Sequence, residues 1–360
     1  MKFLDLFAGI GGFRLGMESA GHKCIGFCEI DKFARASYKA IHNTKGEIEL
    51  HDITAVSDES IRRIGRVDII CGGSPCQAFS IAGARRGFED TRGTLFFEIA
   101  RFASILRPRL LFLENVKGLL NHDGGDTFET IIAALDELGY DAEWQVLNSK
   151  NFGVPQNRER VFIIGHLRGE RTRRIFPLSG ENQSTGSQSV IKIGNVNPSG
   201  NGMNGEVYQA DGLAPTLTTN KGEGQKIAIK SNTIKQFGVL QPNFNQCGVV
   251  YETDGIAPTI RAYQGGGLEP KIIQRGHGYN QGGVHEIAPT LTSNSYHENN
   301  HLSFGYRIRK LTPRECWRLQ GFPDWAFDKA QEVNSNCQLY KQAGNSVTVS
   351  VIAAIAKELS

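Results

Sequence analysis

The chain has 360 residues, with 40 Lys and Arg against 37 Asp and Glu and a formal net charge of +3 at pH 7. That length can bury a large core and suffices for two domains, while the near-balance of charge argues against a uniformly basic nucleic-acid-binding protein. Seven cysteines without a Cys-x-x-Cys pair argue against a disulfide framework and against a zinc site. Since the sequence shows no signal peptide and no long apolar span, we expect a cytoplasmic protein.

The first predicted element is an apolar strand over Phe3 to Leu6, followed by a glycine-rich turn at Gly9 to Gly12 and then a helix. Glycine lets the backbone approach a ligand closely, and the N-terminus of a helix favours an anionic group. A dinucleotide-binding fingerprint would need a glycine where this chain has Arg14. The turn therefore indicates a ligand site, but not a dinucleotide site.

Acidic residues follow the next two segments. Glu29 comes shortly after the apolar strand Cys24 to Phe27, and Asp52 and Ile53 follow the next short segment. An acid at the tip of the second strand commonly binds ribose hydroxyls. We therefore predict a cofactor that contains a nucleoside. The alternative is an ordinary strand–turn–helix unit in which Glu29 faces solvent.

A cysteine on a tight turn follows the next apolar strand. The strand Val67 to Cys71 ends in small residues and leads into Pro75 and Cys76. Open α/β sheets bind their ligands at the carboxyl edge, and an accessible thiolate at that edge is a potential nucleophile. Because cysteines are more often buried in the core, the turn alone leaves both interpretations open.

Three charged residues are candidates for the same crevice. Glu114 follows the strand Leu110 to Leu113, and burial there would raise its pKa, so that it could donate to a ring nitrogen. Arg158 and Arg160 alternate at the start of a strand and should point the same way. Arginine lowers the pKa of a nearby thiol and binds carbonyl or phosphate oxygens. The alternatives are a capping glutamate and a solvated strand end.

The alternation of strands and helices predicts an α/β fold with a mostly parallel, Rossmann-like sheet covered by helices on both faces. A final apolar run at helical spacing, Ser346 to Leu359, should pack back onto that sheet. The clearest remaining elements are strands at Glu143 to Leu147 and Val161 to Ile164, and helices at Gly93 to Leu106 and Thr127 to Leu138.

The composition changes between about Pro177 and Phe304, where Gly, Asn, Ser, Thr and Gln dominate. Three related units recur there, each with Ala-Pro-Thr, beginning at Val207, Val250 and Val284. Each unit predicts two short strands around a turn, and such polar loops could contact base edges. We predict a body at 1–185 completed by 338–360, a β-rich recognition domain at 186–305, and a connecting segment at 306–337.

Six motifs occur in the order typical of DNA (cytosine-5)-methyltransferases, and the chain resembles that family over roughly its first half and last fifth. The motifs are Phe7 to Gly12, Pro75-Cys76-Gln77, Glu114-Asn115-Val116, Gln156 to Arg160, Arg309 to Cys316 and Gln342 to Val347. The size and layout are similar to those of the compact bacterial and phage restriction-modification enzymes. The resemblance implies a class I S-adenosylmethionine-dependent fold and a target-recognition domain in the variable segment.

The resemblance also implies catalytic roles. Cys76 would attack cytosine C6, Glu114 would stabilise N3, Arg160 would hold O2, and Arg158 would position the Cys76 loop. C5 would take a methyl group from S-adenosyl-L-methionine, leaving S-adenosyl-L-homocysteine, and no metal is implied. The base must leave the duplex, and the segment 80–92 is the candidate for closing over it.

Further contacts are carried over from the same motifs. The cofactor contacts are Phe7, Gly9, Gly11, Glu29, Ile30, Asp52, Ile53, Pro75, Leu95 and Asn345. His51 precedes Asp52 where the family usually has a glycine, and Ala82 stands where some relatives carry a serine that enters the DNA. Expected DNA contacts are Arg85, Arg86, Arg92, Arg261, Gln264 and Arg309. Clusters at Arg168 to Arg174 and Arg307 to Arg318 are candidates for phosphate contact or for a solvated face.

The expected partner is double-stranded DNA, with no membrane, a monomeric state, and a cognate restriction endonuclease left open. Three alternatives remain at this stage. A tRNA cytosine methyltransferase shares the catalytic motifs, but typically has Pro and Thr where this chain has Ala78 and Ser80. A non-catalytic DNA-binding regulator would keep the fold without turnover. A thiol enzyme for a small metabolite would not need so large a recognition region.

Overall fold

The computed structural model describes residues 1–74, 95–180, 189–195, 205–210, 212–217, 226–230, 236–239, 249–251, 272–274, 283–285, 300–302 and 306–359. The Cys76 turn and the segment 80–92 lie outside these residues. The chain divides into two compact units. Unit 1 comprises Met1–Ile191, Asp211–Gly224 and Leu311–Ser360, and unit 2 comprises Lys192–Ala210 and Gln225–Lys310.

The described strands of unit 1 are β1 Lys2–Leu6, β2 Lys23–Cys28, β3 Ile48–Leu50, β4 Ile69–Gly73, β5 Leu110–Val116, β6 Tyr140–Asn148, β7 Gln156–Asn157, β8 Glu159–Leu167 and β11 Ala214–Pro215. Its helices are α1 Gly12–Ser19, α2 Lys32–Ile41, α3 Asp58–Ile64, α4 Leu95–Leu106, α5 Asp126–Glu137, α6 Pro313–Leu319, α7 Asp324–Gln331, α8 Asn336–Asn345 and α9 Val349–Glu358. Short 3₁₀ helices occur at Ile53–Ala55, Lys117–Gly125 and Ser149–Phe152.

The strands of unit 2 are β9 Lys192–Asn195, β10 Glu206–Gln209, β12 Lys226–Lys230, β13 Gln236–Val239, β14 Val249–Tyr251, β15 Ile272–Gln274, β16 Gly283–His285, β17 Asn300–Leu302 and β18 Tyr306–Lys310. They form a four-stranded sheet in the order β18-β12-β10-β9, a three-stranded sheet in the order β16-β15-β17, and the pair β13-β14. Val207, Tyr208 and Ala228 are buried in the four-stranded sheet.

Unit 1 is built on a seven-stranded sheet in the order β3-β2-β1-β4-β5-β8-β6. The first five of these strands pair in parallel, and β8 pairs antiparallel with both β5 and β6. Parallel strands need long crossovers, which helices supply between β1 and β2 and between β2 and β3. The mostly parallel α/β sheet predicted from the sequence is confirmed.

Alternate residues of the strands enter two separate cores. On one face, Leu111, Leu113 and their neighbours pack with apolar residues of α3, α4 and α5. On the other face, Leu110, Phe112 and their neighbours pack with α1 and α9. Helices therefore cover both faces, as expected for strands that are apolar on both sides.

The C-terminal helix begins later than the apolar pattern predicts. The helix α9 starts at Val349, because Ser346 to Thr348 form an extended segment that bonds to other elements: Ser346 O accepts from Arg158, and the Thr348 hydroxyl bonds to Ser149 and Gln320. Among the described residues, the structure contains no helix with the length and apolarity needed to cross a membrane.

The first Ala-Pro-Thr unit contains both predicted strands, but they do not pair with each other. The strand β10 pairs with β9 and β12, whereas β11 pairs in parallel with β7. Ala214 N donates to Pro155 O at 2.8 Å, and the Thr216 hydroxyl donates to Asn157 O at 2.9 Å. The expected hairpin is therefore wrong for this unit, since β11 belongs to unit 1. The Ala-Pro-Thr residues of the other two units lie outside the described residues.

Candidate active site

A cleft with a volume of about 720 Å³ opens at the carboxyl edge of the sheet in unit 1. Its size is within the range of small-molecule sites. The structure brings the following predicted residues together in its wall: Phe7, Gly9, Glu29, Ile30, Asp52, Ile53, Leu95, Glu114, Arg158, Arg160 and Asn345. Pro75 and Cys76 lie outside the described residues, immediately after Ser74, which lines the same cleft.

The glycine-rich turn after β1 is held in an unusual backbone conformation. Phe7, Gly9 and Gly11 have φ values of 55°, 56° and 84°. A Cβ on Gly11, the N-cap of α1, would lie 2.1 Å from His42 Nε2, so a larger residue cannot be placed there. Burial lowers the pKa of His42 to about 3, which leaves its ring neutral. The turn therefore lies against a packed wall, with Phe7 and Gly9 facing the cleft.

Glu29 connects the first two strands of the cleft wall. Its Oε2 accepts from Gly9 N at 2.8 Å, and its Oε1 accepts from Asp31 N at 2.8 Å. Each oxygen keeps lone-pair capacity for a further donor, since a carboxylate offers about four acceptor sites. The next residue, Ile30, leaves 66% of its surface exposed, which makes an apolar surface available to a ligand.

Asp52 is fixed by its own turn. Its Oδ1 accepts from Thr54 N at 3.0 Å and from the Thr54 hydroxyl at 2.7 Å, which caps the short helix Ile53–Ala55. The adjacent His51, which replaces the family's usual glycine, also lines the cleft, and its Nε2 lies 3.3 Å from Glu49 Oε1. The His51 backbone still follows β3 and accepts from the Cys28 thiol at 3.3 Å.

Glu114 and Arg160 form an ion pair in the wall next to Ser74. Val116 is paired with Arg160 across β5 and β8, so Glu114 and Arg160 are diagonal neighbours on one face of the sheet. Arg160 Nε lies 3.0 Å from Glu114 Oε1, with side-chain exposures of 17% and 10%. A Cβ on Gly73 would lie 3.0 Å from Glu114 Oε2, so the small residue leaves room for the carboxyl group.

The pKa of Glu114 is raised above its ordinary value. Burial raises the pKa, while the charges of Arg160 and Arg158 act in the opposite direction without cancelling that effect. The raised pKa that the sequence predicted for this carboxyl group is confirmed. The arrangement can present a carboxyl group as a hydrogen-bond donor beside a guanidinium group.

Arg158 joins the wall of the cleft to the C-terminal segment. It is 3% exposed, and its Nη2 donates to Gly344 O at 3.3 Å and to Ser346 O at 2.8 Å. Burial lowers its pKa to about 10, so that the guanidinium remains charged at neutral pH. Within the described part of the chain, its buried Nε and Nη1 have no hydrogen-bond partner.

The helix α8 closes the other side of the cleft by contacts that sequence reasoning did not identify. Lys341 Nζ lies 2.7 Å from Asp31 Oδ2, and Gln342 Nε2 donates to Phe33 O at 3.1 Å. The Ser37 hydroxyl donates to Gln342 Oε1 at 3.0 Å. These contacts join α8 to α2 across about 300 residues of sequence, and only the motif Gln342 to Val347 pointed to this segment.

Thr216 and Leu217 also line the cleft and were not predicted to do so. They follow β11 in the first Ala-Pro-Thr unit, and the pairing of β11 with β7 places them beside the segment that carries Arg158. The only feature of the sequence that drew attention to Thr216 and Leu217 was the recurrence of the Ala-Pro-Thr unit.

Most of the residues predicted to contact DNA belong to segments that the structure does not describe. Arg85, Arg86, Arg92, Arg261 and Gln264 lie outside the described residues, and only the backbone of Arg309 is described, in β18.

The Arg168 to Arg174 cluster is less available to phosphate than its sequence suggests. Arg168 contacts Asp136 and Asp141, Arg173 contacts Glu358, and Arg174 contacts Glu143. Arg314 and Arg318 of the other cluster contact Asp324. These arginines are therefore better described as a paired, solvated surface.

The fold is that of a class I methyltransferase domain, and its cleft lies at the carboxyl edge of a mostly parallel sheet. Solved structures of this class cover the whole chain. A methyltransferase of Entamoeba histolytica, EhMeth, has a TM-score of 0.58 at 17% identity over 100% of this chain and 97% of its own. The S. pombe Dnmt2 methyltransferase has a TM-score of 0.58 at 17% identity over 100% of this chain and 98% of its own.

Sequence comparison gives the family. The family model described as "C-5 cytosine-specific DNA methylase" matches residues 1–360, and the chain belongs to that family. The orphan methyltransferase M.SPRI of Bacillus phage SPR is 35% identical, covering 100% of this chain and 97% of the relative. The type II methyltransferase M.HpaII of Haemophilus parainfluenzae is 38% identical, covering 99% of this chain and 88% of the relative.

We predict that Arg158→Met lowers the free energy of unfolding by about 2–4 kcal/mol, because it removes a buried donor from the carbonyls of Gly344 and Ser346. The matched variant is Arg173→Met, which removes an arginine that is 56% exposed and donates to the backbone and carboxylate of Glu358. That variant should change stability by less than about 1 kcal/mol. Urea denaturation measures both, and equal losses would contradict the assigned role of Arg158.

Proposed function

We propose that this protein transfers a methyl group from S-adenosyl-L-methionine to C5 of a cytosine within a specific double-stranded DNA sequence. The observation that carries the proposal is one cleft of unit 1, which is lined both by residues expected at a nucleoside and by Glu114 and Arg160, which are expected at a cytosine ring. Family membership over residues 1–360 supports the same activity.

The cofactor side of the cleft suits S-adenosyl-L-methionine. Glu29 has acceptor capacity for ribose hydroxyls, Asp52 lines the same cleft and uses only Oδ1 in its hydrogen bonds to Thr54, and Ile30 offers an exposed apolar surface to adenine. At Gly9, which lines the cleft, an added Cβ would meet no atom within 4 Å, and this leaves space for the amino-acid end of the cofactor. When bound, the cofactor supplies an electrophilic methyl group.

Cys76 is the proposed nucleophile. The buried cysteines among the described residues are poorly suited to that role. Burial raises the pKa of Cys28 and Cys316 to about 12, and it raises the pKa of Cys71 well above its ordinary value. Cys76 lies two residues after Ser74, whose carbonyl accepts from Asn115 Nδ2 at 3.1 Å at the cleft wall. The two unpaired donors of Arg158 would hold the loop that carries Cys76 and favour its thiolate.

The chemistry follows from the electronic structure of cytosine, whose C5 is a weak nucleophile. A bond from the Cys76 sulfur to C6 moves the ring electrons toward N3 and C5, where Glu114 donates a hydrogen bond to N3 and Arg160 donates to O2. C5 would then take the methyl group as its bond to the sulfonium sulfur breaks, which leaves S-adenosyl-L-homocysteine. Loss of the C5 proton to a base and expulsion of the Cys76 thiolate restore the aromatic ring.

The substrate side requires a flipped base, because C6 is not accessible to a thiol inside a duplex. Arg85, Arg86 and Arg92 follow Cys76 in sequence and are proposed to contact the phosphate backbone. We propose that the segment 186–305 reads the target, with Arg261, Gln264 and Arg309 among its DNA contacts. The catalytic domain would comprise 1–185 and 338–360, and 306–337 would connect it to the recognition domain. The inclusion of Leu311–Ser360 in unit 1 supports the return of the C-terminal segment to the catalytic domain.

A DNA substrate is favoured over tRNA. The matching family is described as acting on DNA, and the curated relatives are named as orphan or type II methyltransferases. The intact Glu114–Arg160 pair argues against a regulator without turnover. We propose a monomer that protects DNA in a phage or in a restriction-modification system, with or without a cognate endonuclease.

We predict that Cys76→Ser abolishes methylation, lowering it by more than about a thousandfold, because a hydroxyl without an adjacent base is a weak nucleophile. Bisulfite sequencing of DNA from a methylation-deficient host measures this directly. The wild type should protect cytosine within one defined sequence motif, and Cys76→Ser should protect none. The matched variant Cys337→Ser changes an exposed cysteine of α8 and should protect the same motif as the wild type.

The binding of cofactor and DNA by Cys76→Ser separates loss of chemistry from loss of fold. Calorimetry with S-adenosyl-L-homocysteine should give an affinity within about twofold of the wild type, which is a change below 0.5 kcal/mol. Protection of cytosines by the serine variant at the wild-type level would contradict the covalent mechanism. Failure of the wild type to protect any cytosine would contradict the proposed function.

We also predict that Glu114→Gln lowers kcat by about 10²–10⁴-fold while changing the pH dependence of stability. Because burial raises the pKa of Glu114, the wild type has the full stabilisation from this group below pH about 4.3 and loses it as pH rises through the higher folded pKa. The glutamine cannot titrate. The melting temperature of the variant should therefore rise relative to that of the wild type as pH increases from 4 to 8. The same pH dependence of melting temperature in both proteins would contradict the assignment.

A further inference from the structure

Arg101 lies in the middle of α4 and contacts the turn beneath the cofactor side of the cleft. Its guanidinium Nη2 donates to Ile53 O at 3.0 Å, and its Nη1 donates to Val56 O at 2.8 Å. These carbonyls belong to the first residue of the short helix Ile53–Ala55 and to the residue that ends it. One side chain therefore binds both ends of the turn.

The remaining donors of Arg101 are used to hold the guanidinium group in place. Nε and Nη2 donate to Glu98 Oε2 at 3.0 and 2.5 Å, and Nη1 donates to Asp58 Oδ1 at 2.8 Å. All five N–H groups of the guanidinium are thus engaged. The side chain is 24% exposed, so that solvent only partly screens these contacts.

The turn that Arg101 binds carries two residues of the cofactor wall. Asp52 and Ile53 line the cleft, and Asp52 Oδ1 is already committed to Thr54. The position of the free Oδ2 therefore depends on the conformation of the turn. The helix α4 begins at Leu95, which lines the same cleft, so Arg101 links two elements of its wall.

We propose that Arg101 is a positioning residue for the cofactor: by binding the carbonyls of Ile53 and Val56, it fixes Asp52 and Ile53 where the nucleoside of S-adenosyl-L-methionine binds. This proposal rests on the proposed function and goes beyond it, since Arg101 does not line the cleft. A lysine cannot replace it, because one ammonium group cannot reach two carbonyls and two carboxylates in a planar fork.

The test compares Arg101→Met and Arg101→Lys with Arg168→Met. Arg168 is a matched control because it also contacts two carboxylates, Asp136 and Asp141, and the backbone carbonyl of Asp136, outside the cleft. Calorimetry with S-adenosyl-L-homocysteine should show Kd raised at least about tenfold in both Arg101 variants, by loss of charge-assisted hydrogen bonds. Arg168→Met should bind within about twofold of the wild type, a difference below 0.5 kcal/mol.

Kinetics separate positioning from a structural role. KM for the cofactor should rise in parallel with Kd, while kcat at saturating cofactor stays within about twofold of the wild type, as expected for loss of uniform binding. Reduced melting temperatures with unchanged Kd would overturn the proposal, and so would full affinity in Arg101→Lys. If the wild type does not bind S-adenosyl-L-homocysteine, the proposed function fails first, independently of Arg101.

Discussion

A carboxyl group buried beside two arginines is the constraint on which the rest of the cleft depends. Glu114 Oε1 lies 3.0 Å from Arg160 Nε, and Arg158 adds a second positive charge, which is buried. Such a charge is costly unless it is hydrogen-bonded, and the carbonyls of Gly344 and Ser346 provide the bonds for Arg158. The C-terminal segment must therefore return to the sheet, which brings Asn345 and α8 to the cleft.

The cleft that the C-terminal segment completes has two chemically different sides. On one side, the turn after β1, Glu29 and the Asp52 turn present acceptors and apolar surface suited to a nucleoside. On the other side, Glu114 and Arg160 present a donor pair suited to a pyrimidine. Because both halves lie at the carboxyl edge of the sheet, the proposed methyl donor and the proposed acceptor base would bind side by side. Arg101 acts from behind the nucleoside side, through the backbone of its wall.

The sequence predicted most of this wall because its residues follow strand ends. Apolar strands and the residues after them are local signals, and the motifs around Gly9, Glu29 and Glu114 were found in this way, whereas Arg158 was found from the alternation at the start of a strand. The pairing of β11 with β7 was not predictable, since a two-residue strand has no periodicity and its partner lies about 58 residues away. The contacts of Lys341 with Asp31 and of Arg101 with Val56 are likewise long-range, and each residue alone resembles a solvated charge.

In the proposed reaction, Cys76 forms a covalent bond to C6 of cytosine. The most direct measurement uses a duplex with 5-fluorocytosine at the protected position, incubated with the protein and S-adenosyl-L-methionine, followed by mass spectrometry of the digested complex. Fluorine at C5 cannot leave as a cation, so elimination should stall and leave a methylated adduct on the peptide that contains Cys76. No stable adduct, or an adduct on Cys71 or Cys316, would contradict the account.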